Sequence, residues 1–427
     1  MLDTSSTEAK HMPTARRAAK QRADYTHRHN VGLGRHGWLR LTPAYSVKLV
    51  RETMRAPSAG TRVLDPFSGT GTTPLCAAYL GLPAVAVEIN PFLVWLGQAK
   101  TATYSPGTLS RALESARAIA LGASREKPPK AAPPPIHNIE RWWNPRALDF
   151  LCLLKGGIEH EHTRPSKVRD LLLIGFCRTM IRLSNAAFNH QSMSFNDRGP
   201  SCRHRQTLLF DEKGLAEVFL QDLAHVVEAA ADNPEEGAEI TEGDSREISH
   251  HVSGAFRLLI TSPPYPNRMS YIRELRPYMY WLGYLTSAPE ASELDWRAIG
   301  GTWGVATSRL KDWEPSGEAF LPRGLQTVLR NIASEGTKSG ELLSNYVAKY
   351  FEDIWTHLQN VRTVIASGGR VHYIVGNSSF YGVLVPTERL YCEMLAQLGF
   401  REVKARLIRK RNSKKELFEF DVSAVRS

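Results

Sequence analysis

The chain has 427 residues, a formal net charge of +11 and a pI near 9.4. Its length allows one large domain with insertions or two to three domains, and its basic balance favours a polyanionic partner or an acidic membrane surface. No run of about 18 apolar residues is present, which excludes a transmembrane helix, and the polar, then basic N-terminus lacks the apolar region of a secretory signal. Cys76, Cys152, Cys177, Cys202 and Cys392 are odd in number and scattered, as free thiols in a reducing compartment would be. With no CxxC pair, and with only His204 near Cys202, no metal site is expected.

Residues 1–24 are polar and basic and read as a flexible arm. After a stretch holding His27, His29 and His36, residues 41–54 read as a helix opened by Thr42-Pro43. A short strand over 61–65 meets Asp65-Pro66-Phe67-Ser68-Gly69-Thr70-Gly71-Thr72-Thr73, followed by a helix over 74–80 and a strand over 84–87 that ends in Glu88. This is a β-α-β unit with a glycine-rich first turn. Such a turn lets the backbone approach a ligand, and the helix N-terminus favours an anionic group. An acid at the next strand end can accept both ribose hydroxyls. The third glycine of GxGxxG is missing, so the unit points to a nucleoside-bearing cofactor but not to the dinucleotide signature.

A helix over 92–99 leads into a segment that reads as mainly helical, over 105–122, 141–156, 167–183 and 215–231, with a proline-rich linker at 126–135. Its polar loop, between 185 and 206, carries Arg198, Arg203 and Arg205. Residues 137–210 hold eleven Lys/Arg against six Asp/Glu, a bias that suits phosphate contact, although a solvated helix face explains any single one. A strand over 238–241 precedes Asp244, which either caps the next turn or accepts from an adenine amino group.

The apolar run Leu258-Leu259-Ile260 then enters Thr261-Ser262-Pro263-Pro264-Tyr265. Such a run suits a strand buried on both faces, and the prolines end its ladder. The corner would hold a hydroxyl, free carbonyls and a flat ring at the edge where open α/β sheets bind ligands, or it is a plain proline turn. Residues 267–284 interleave Arg268, Arg273 and Arg276 with Tyr271, Tyr278, Tyr280 and Trp281, a mixture that serves either nucleic acid or a helix core. Residues 285–340 show little periodicity and read as a long, partly irregular insertion. A helix over 341–366, ended by Gly368-Gly369, precedes a buried strand over 370–375, a helix over 387–398 and a hairpin of 401–410 with 416–422.

The glycine-turn motif from Asp65 to Thr73, followed by Glu88 and by Thr261-Ser262-Pro263-Pro264-Tyr265, resembles the S-adenosylmethionine-dependent amino-group DNA methyltransferases. The Ser-Pro-Pro-Tyr form resembles their cytosine-N4 branch; adenine-N6 enzymes more often carry Asp or Asn before the prolines. The resemblance spans roughly 40–100, 238–283 and 341–422. It implies an α/β, doubly wound, mostly parallel seven-stranded sheet of the Rossmann-like methyltransferase type, with a terminal antiparallel hairpin. Residues 25–100, 238–284 and 341–427 would form the catalytic domain, 101–237 a mainly helical insertion, and 285–340 a candidate target-recognition region. The insertion before Asp244 is not at the usual place for target recognition.

By the same resemblance, Asp65, Phe67, Gly69 and Gly71 would surround the methionine part of S-adenosylmethionine, with Pro66, Thr72 and Thr261 in the same cofactor-binding set. Glu88 would hold the ribose, Asp244 would meet the adenine amino group, and 35–46 would close over the methionine end. Ser262, Pro263, Pro264 and Tyr265 would form the catalytic corner. Arg198, Arg203, Arg205, Arg268, Arg273 and Arg276 are the candidate nucleic-acid contacts. The implied partners are double-stranded DNA and a cognate restriction endonuclease or defence-system subunit, with no membrane, at a cytoplasmic, DNA-associated location in a prokaryote. Adenine-N6 methylation, RNA methylation and a non-catalytic DNA-binding subunit are the alternatives. The Pro-Cys dipeptide of cytosine-C5 enzymes is absent.

The chemistry implied is specific. An exocyclic amine is a poor nucleophile because its lone pair is delocalised into the ring. The Ser262 hydroxyl and the Pro263 carbonyl can accept its two protons in hydrogen bonds and turn the nitrogen towards sp³ geometry. Tyr265 would stack on a base flipped out of the duplex, so that catalysis is mainly positioning and electrostatics.

Overall fold

The computed structural model describes residues 20–41, 44–55, 60–123, 125, 129–187, 194–195, 212–301, 308–335, 339–411 and 416–427. Its centre is a seven-stranded sheet. In chain order the strands are β1 (Val63–Asp65), β2 (Ala84–Glu88), β3 (Ala238–Glu242), β4 (Phe256–Thr261), β5 (Ile365–Gly376), β6 (Phe400–Lys410) and β7 (Phe418–Arg426). Their order across the sheet is 3-2-1-4-5-7-6. The pairs 1–2, 2–3, 1–4 and 4–5 are parallel, and β7 runs antiparallel to both β5 and β6. The order reverses between β1 and β4, so the carboxyl ends of these two strands open a crevice, the position at which open α/β sheets take ligands.

Strand sequences explain the layering. In β1 and β4, Val63, Leu258 and Ile260 face helices α1 (Val47–Thr53) and α2 (Thr72–Tyr79), while Leu64 and Leu259 face the opposite layer. Apolar side chains on both faces are what a sheet covered on both sides requires. The opposite layer consists of α10 (Leu325–Glu335), α11 (Gly340–Val364) and α12 (Thr387–Gln397).

The segment between β2 and β3 supplies α3 (Pro91–Thr101), α4 (Pro106–Ala123), α5 (Pro145–Glu161), α6 (Lys167–Arg182) and α7 (Glu212–Ala230). These helices share one core with Trp38 and with α8 (Tyr271–Trp281), the helix after the proline corner. Trp281 meets Trp143 and Phe176 edge-on, which ties α8 to the helical segment.

Within 285–340, α9 (Ala288–Arg297) starts with a proline in its first turn and α10 carries Leu325, Val328, Leu329 and Ile332 at helical spacing. Two local expectations change. The helix expected over 41–54 spans only Val47–Thr53, and Thr42-Pro43 lie outside the described residues. Gly368-Gly369 do not end α11, which stops at Val364; Gly368 at φ +74° lies within β5, where the register with β4 shifts.

Arg35 ties together two helices of this segment. It is fully buried, and its guanidinium donates to Lys100 O at 2.9 Å, to Ala102 O, to Ala230 O at 2.7 Å and to Asn233 Oδ1 at 2.8 Å. One cation therefore caps the carboxyl ends of α3 and α7 together, where carbonyls lack intrahelical donors. We expect Arg35→Met to lower unfolding stability by about 3–5 kcal/mol in urea titration, since several buried carbonyls lose their donor; a loss below about 1 kcal/mol would contradict this role.

Candidate active site

The glycine turn is shaped by its own backbone. Gly69 and Gly71 adopt φ of +51° and +76°, in the left-handed region that favours glycine. A Cβ on Gly71 would lie 3.3 Å from the Cα of Gly97, so α3 packs directly on the turn. Lys100, also on α3 and buried, donates from Nζ to Thr70 O at 2.8 Å and holds the turn from behind. Burial without a carboxylate partner pulls the Lys100 ammonium down to about 7.

Two buried carboxylates stand at adjacent strand ends. Asp65, the last residue of β1, accepts at Oδ1 from the Thr261 hydroxyl at 2.6 Å and from Phe67 N at 3.1 Å. Glu88, the last residue of β2, accepts from Gly69 N at 2.7 Å and from Asn90 N at 2.9 Å. Burial pushes Asp65 up to about 6 and Glu88 up to about 7, although these donors act in the opposite direction. Asp65 Oδ2 is buried and finds no hydrogen-bond donor among the described residues. An orphaned carboxylate oxygen beside a glycine turn fits the ammonium of a methionine-derived cofactor.

Asp244 follows β3 and is already engaged. It accepts from Arg246 N at 2.9 Å and from Arg246 Nη2 at 2.6 Å, and Arg246 bridges on to Asp353 of α11 at 2.7 Å. Burial opposes ionisation, but the Arg246 guanidinium holds the Asp244 carboxyl below its ordinary value. Thus Asp244 caps the next turn and faces the crevice as well.

The proline corner closes the other side. The single Ser262 Oγ proton lies within reach of Ile374 O of β5 at 3.2 Å and of the Tyr265 hydroxyl at 3.4 Å, and in either case its lone pairs remain available as acceptors. Tyr350 donates to Pro264 O at 2.9 Å. The Tyr265 hydroxyl donates to Glu419 of β7 at 2.9 Å, and Glu419 is paired with Arg409 of β6 at 2.7 Å. The Arg411 guanidinium lies 4.8 Å from the Tyr265 ring centroid. Gly376 makes room for both, since a Cβ there would lie 2.2 Å from Arg411 Nη1 and 2.8 Å from Tyr265 Cδ2.

Pro66, Phe67, Gly69, Glu88, Asp244 and the four corner residues all line one crevice of about 1120 Å³. Asp65 and Thr261 are buried behind it, and Thr72 is buried in α2. Phe67 packs against His357 with centroids 4.7 Å apart. Of 35–46, Arg40, Ala44 and Tyr45 reach the crevice, whereas Arg35 is buried between helices. Arg268 lines the mouth. Arg273 and Arg276 sit half-buried on α8, with Arg276 5.9 Å from the Trp142 ring, and neither lines the crevice. Arg198, Arg203 and Arg205 lie outside the described residues. Sequence reading missed Lys100, Arg246, Arg409, Arg411 and Glu419; alternation of Arg409 and Arg411 along one strand was the available signal.

Comparison with known proteins adds one informative similarity. No family model matches the chain. The Type II methyltransferase M.BsoBI of Geobacillus stearothermophilus is 21% identical over 433 residues, covering 92% of this chain and 84% of that protein. Two structures of the rRNA methyltransferase AviRa from Streptomyces viridochromogenes align at TM-scores of 0.28 and 0.27 with 12% identity, over 89% of this chain and 86% of theirs, too weak a likeness to carry fold or function. Sheet order, crevice and the Geobacillus relative agree on an S-adenosylmethionine-dependent methyltransferase, with S-adenosylmethionine as the methyl donor.

The raised carboxyls give a pH test. A carboxyl raised in the folded state stabilises the ligand-free protein at low pH, and that contribution is lost as pH rises through about 6 and about 7. A cationic ligand prefers the ionised pair. The Tm increment given by saturating S-adenosylmethionine should therefore be larger near pH 7.5 than near pH 5.5 in thermal unfolding scans. An increment that is equal, or smaller at the higher pH, would contradict the assignment.

Proposed function

We propose that the protein transfers the methyl group of S-adenosylmethionine to the exocyclic N4 amine of a cytosine flipped out of double-stranded DNA. The observation that carries this reading is the Ser262 hydroxyl, whose single proton is within reach of Ile374 O and of the Tyr265 hydroxyl and which in either case keeps its lone pairs for an incoming amine. S-adenosylmethionine supplies the electrophilic methyl. The chain supplies position: Asp65 takes the cofactor's ammonium and Glu88 its ribose hydroxyls, while Asp244, held by Arg246, accepts from the adenine amino group. Ser262 Oγ and the Pro263 carbonyl accept the two amine protons and draw the nitrogen out of conjugation. Tyr265, anchored by Glu419, offers its ring to the base.

That the Geobacillus relative is a Type II methyltransferase supports a DNA target and a cognate restriction endonuclease as partner. The division into a catalytic domain and two insertions, with 285–340 reading the target, belongs to the same proposal. Support for the second insertion comes from Arg297 to Ile299, which line the crevice at the end of α9.

Incubation with labelled S-adenosylmethionine and duplex DNA or RNA, followed by nucleoside mass spectrometry, tests the reading. Label in N4-methylcytosine is the expected result; label in N6-methyladenine or in RNA would replace the target, and no transfer to nucleic acid would overturn the proposal. Tyr265→Ala should reduce transfer at least about tenfold while leaving cofactor affinity within about twofold, and Asp65→Ala should do the reverse to affinity. Equal loss of both quantities in each variant would contradict the roles.

A further inference from the structure

The segment preceding α1 forms a fixed strap across the crevice. At one end Lys20 O accepts from Lys410 N of β6 at 3.1 Å. At the other, Asp24 pairs with Lys48 of α1 at 2.7 Å, its carbonyl accepts from Ser46 Oγ at 2.9 Å, and Tyr25 donates to Glu52 at 2.5 Å. Gln21 to Ala23 and Tyr25 to Arg28 consequently line the same crevice as Tyr265. The strap and the hairpin bring cations together from distant parts of the sequence. Arg28 and Arg40 are exposed, Arg409 and Arg411 are half-buried, and all four line the crevice.

His27 reports how close these groups are. Burial, and then the charges of Arg28, Arg40 and Arg409, hold its imidazole below the ordinary value. Among these groups Arg409 is neutralised by Glu419, and Arg411 is occupied with the Tyr265 ring and with Asn377 O at 2.9 Å. Arg28 and Arg40 are exposed at the same mouth.

We infer that the strap and the β6–β7 hairpin form the phosphate grip of the enzyme, holding the target strand's backbone beside the flipped nucleotide through Arg28 and Arg40. The inference rests on the reading of a nucleic-acid target and assigns its backbone contact to a surface other than the two insertions. Charge complementarity supports it: guanidinium groups at the rim match phosphates that follow a base into the crevice, while Arg411 stays against the aromatic platform. Phosphate contacts position the strand and carry no sequence information, so this surface orients the target and does not select it.

Binding of a fluorescein-labelled duplex DNA of mixed sequence, measured by anisotropy over a salt series, tests the grip. Each phosphate contact removed should lower the slope of log affinity against log salt by about 1. Arg28→Ala and Arg40→Ala should each do so, the double variant by about 2, with S-adenosylmethionine affinity unchanged by calorimetry. Arg117→Ala, exposed on α4, should leave the slope at the wild-type value. Wild-type slopes in the strap variants, with DNA still bound and methylated, would overturn the grip and leave the proposed function standing. Failure of the wild-type protein to bind DNA or RNA at all would overturn both.

Discussion

One short hydrogen bond joins the two halves of the site. Thr261 is the last residue of β4 and donates to Asp65, the last residue of β1, at 2.6 Å. Its own neighbour is the proline corner, and the neighbour of Asp65 is the glycine turn. Both residues are buried, so water does not compete for the bond. The bond lies where the sheet order reverses and nothing in the strand ladder continues. This bond, together with the Thr73 hydroxyl, which donates to Ile260 O at 3.1 Å, holds the glycine turn against the corner.

Buried charge surrounds that bond. Asp65 and Glu88 stand one strand apart with few donors, and Lys100 supports the turn from behind without a carboxylate. A folded protein leaves polar groups in this state mainly where a ligand completes them. Asp244 is different, since Arg246 ties it to Asp353 and to the carbonyl of Arg297. The Asp244 end of the crevice is therefore held by ion pairs, while Asp65 Oδ2, at the glycine-turn end, has no donor among the described residues.

Strand ends and turns were legible in the sequence because local chemistry makes them: an apolar run stopped by prolines, glycines where φ is positive, an acid after a hydrophobic strand. The helical segment was legible from spacing. Less visible were contacts that depend on register across the sheet. Glu419 reaches Tyr265 only because β7 is inserted between β5 and β6, and a sequence does not display that neighbourhood. Arg276 is a candidate nucleic-acid contact from the alternation of arginine and tyrosine around it, and its place 5.9 Å from the Trp142 ring depends on tertiary packing that the alternation does not display. The strap is not displayed by the sequence, since Asp24 and Tyr25 reach Lys48 and Glu52 across a gap in sequence.

The joining bond is open to direct test by isothermal titration of S-adenosylmethionine into Thr261→Val. The replacement keeps shape and removes the donor, leaving Asp65 with a single backbone partner. The account predicts a loss of cofactor affinity of about tenfold or more, equivalent to about 1.4 kcal/mol, with recovery in Thr261→Ser. Affinity within about twofold of the wild-type protein in Thr261→Val would contradict the claim that this bond sets the cofactor turn against the corner.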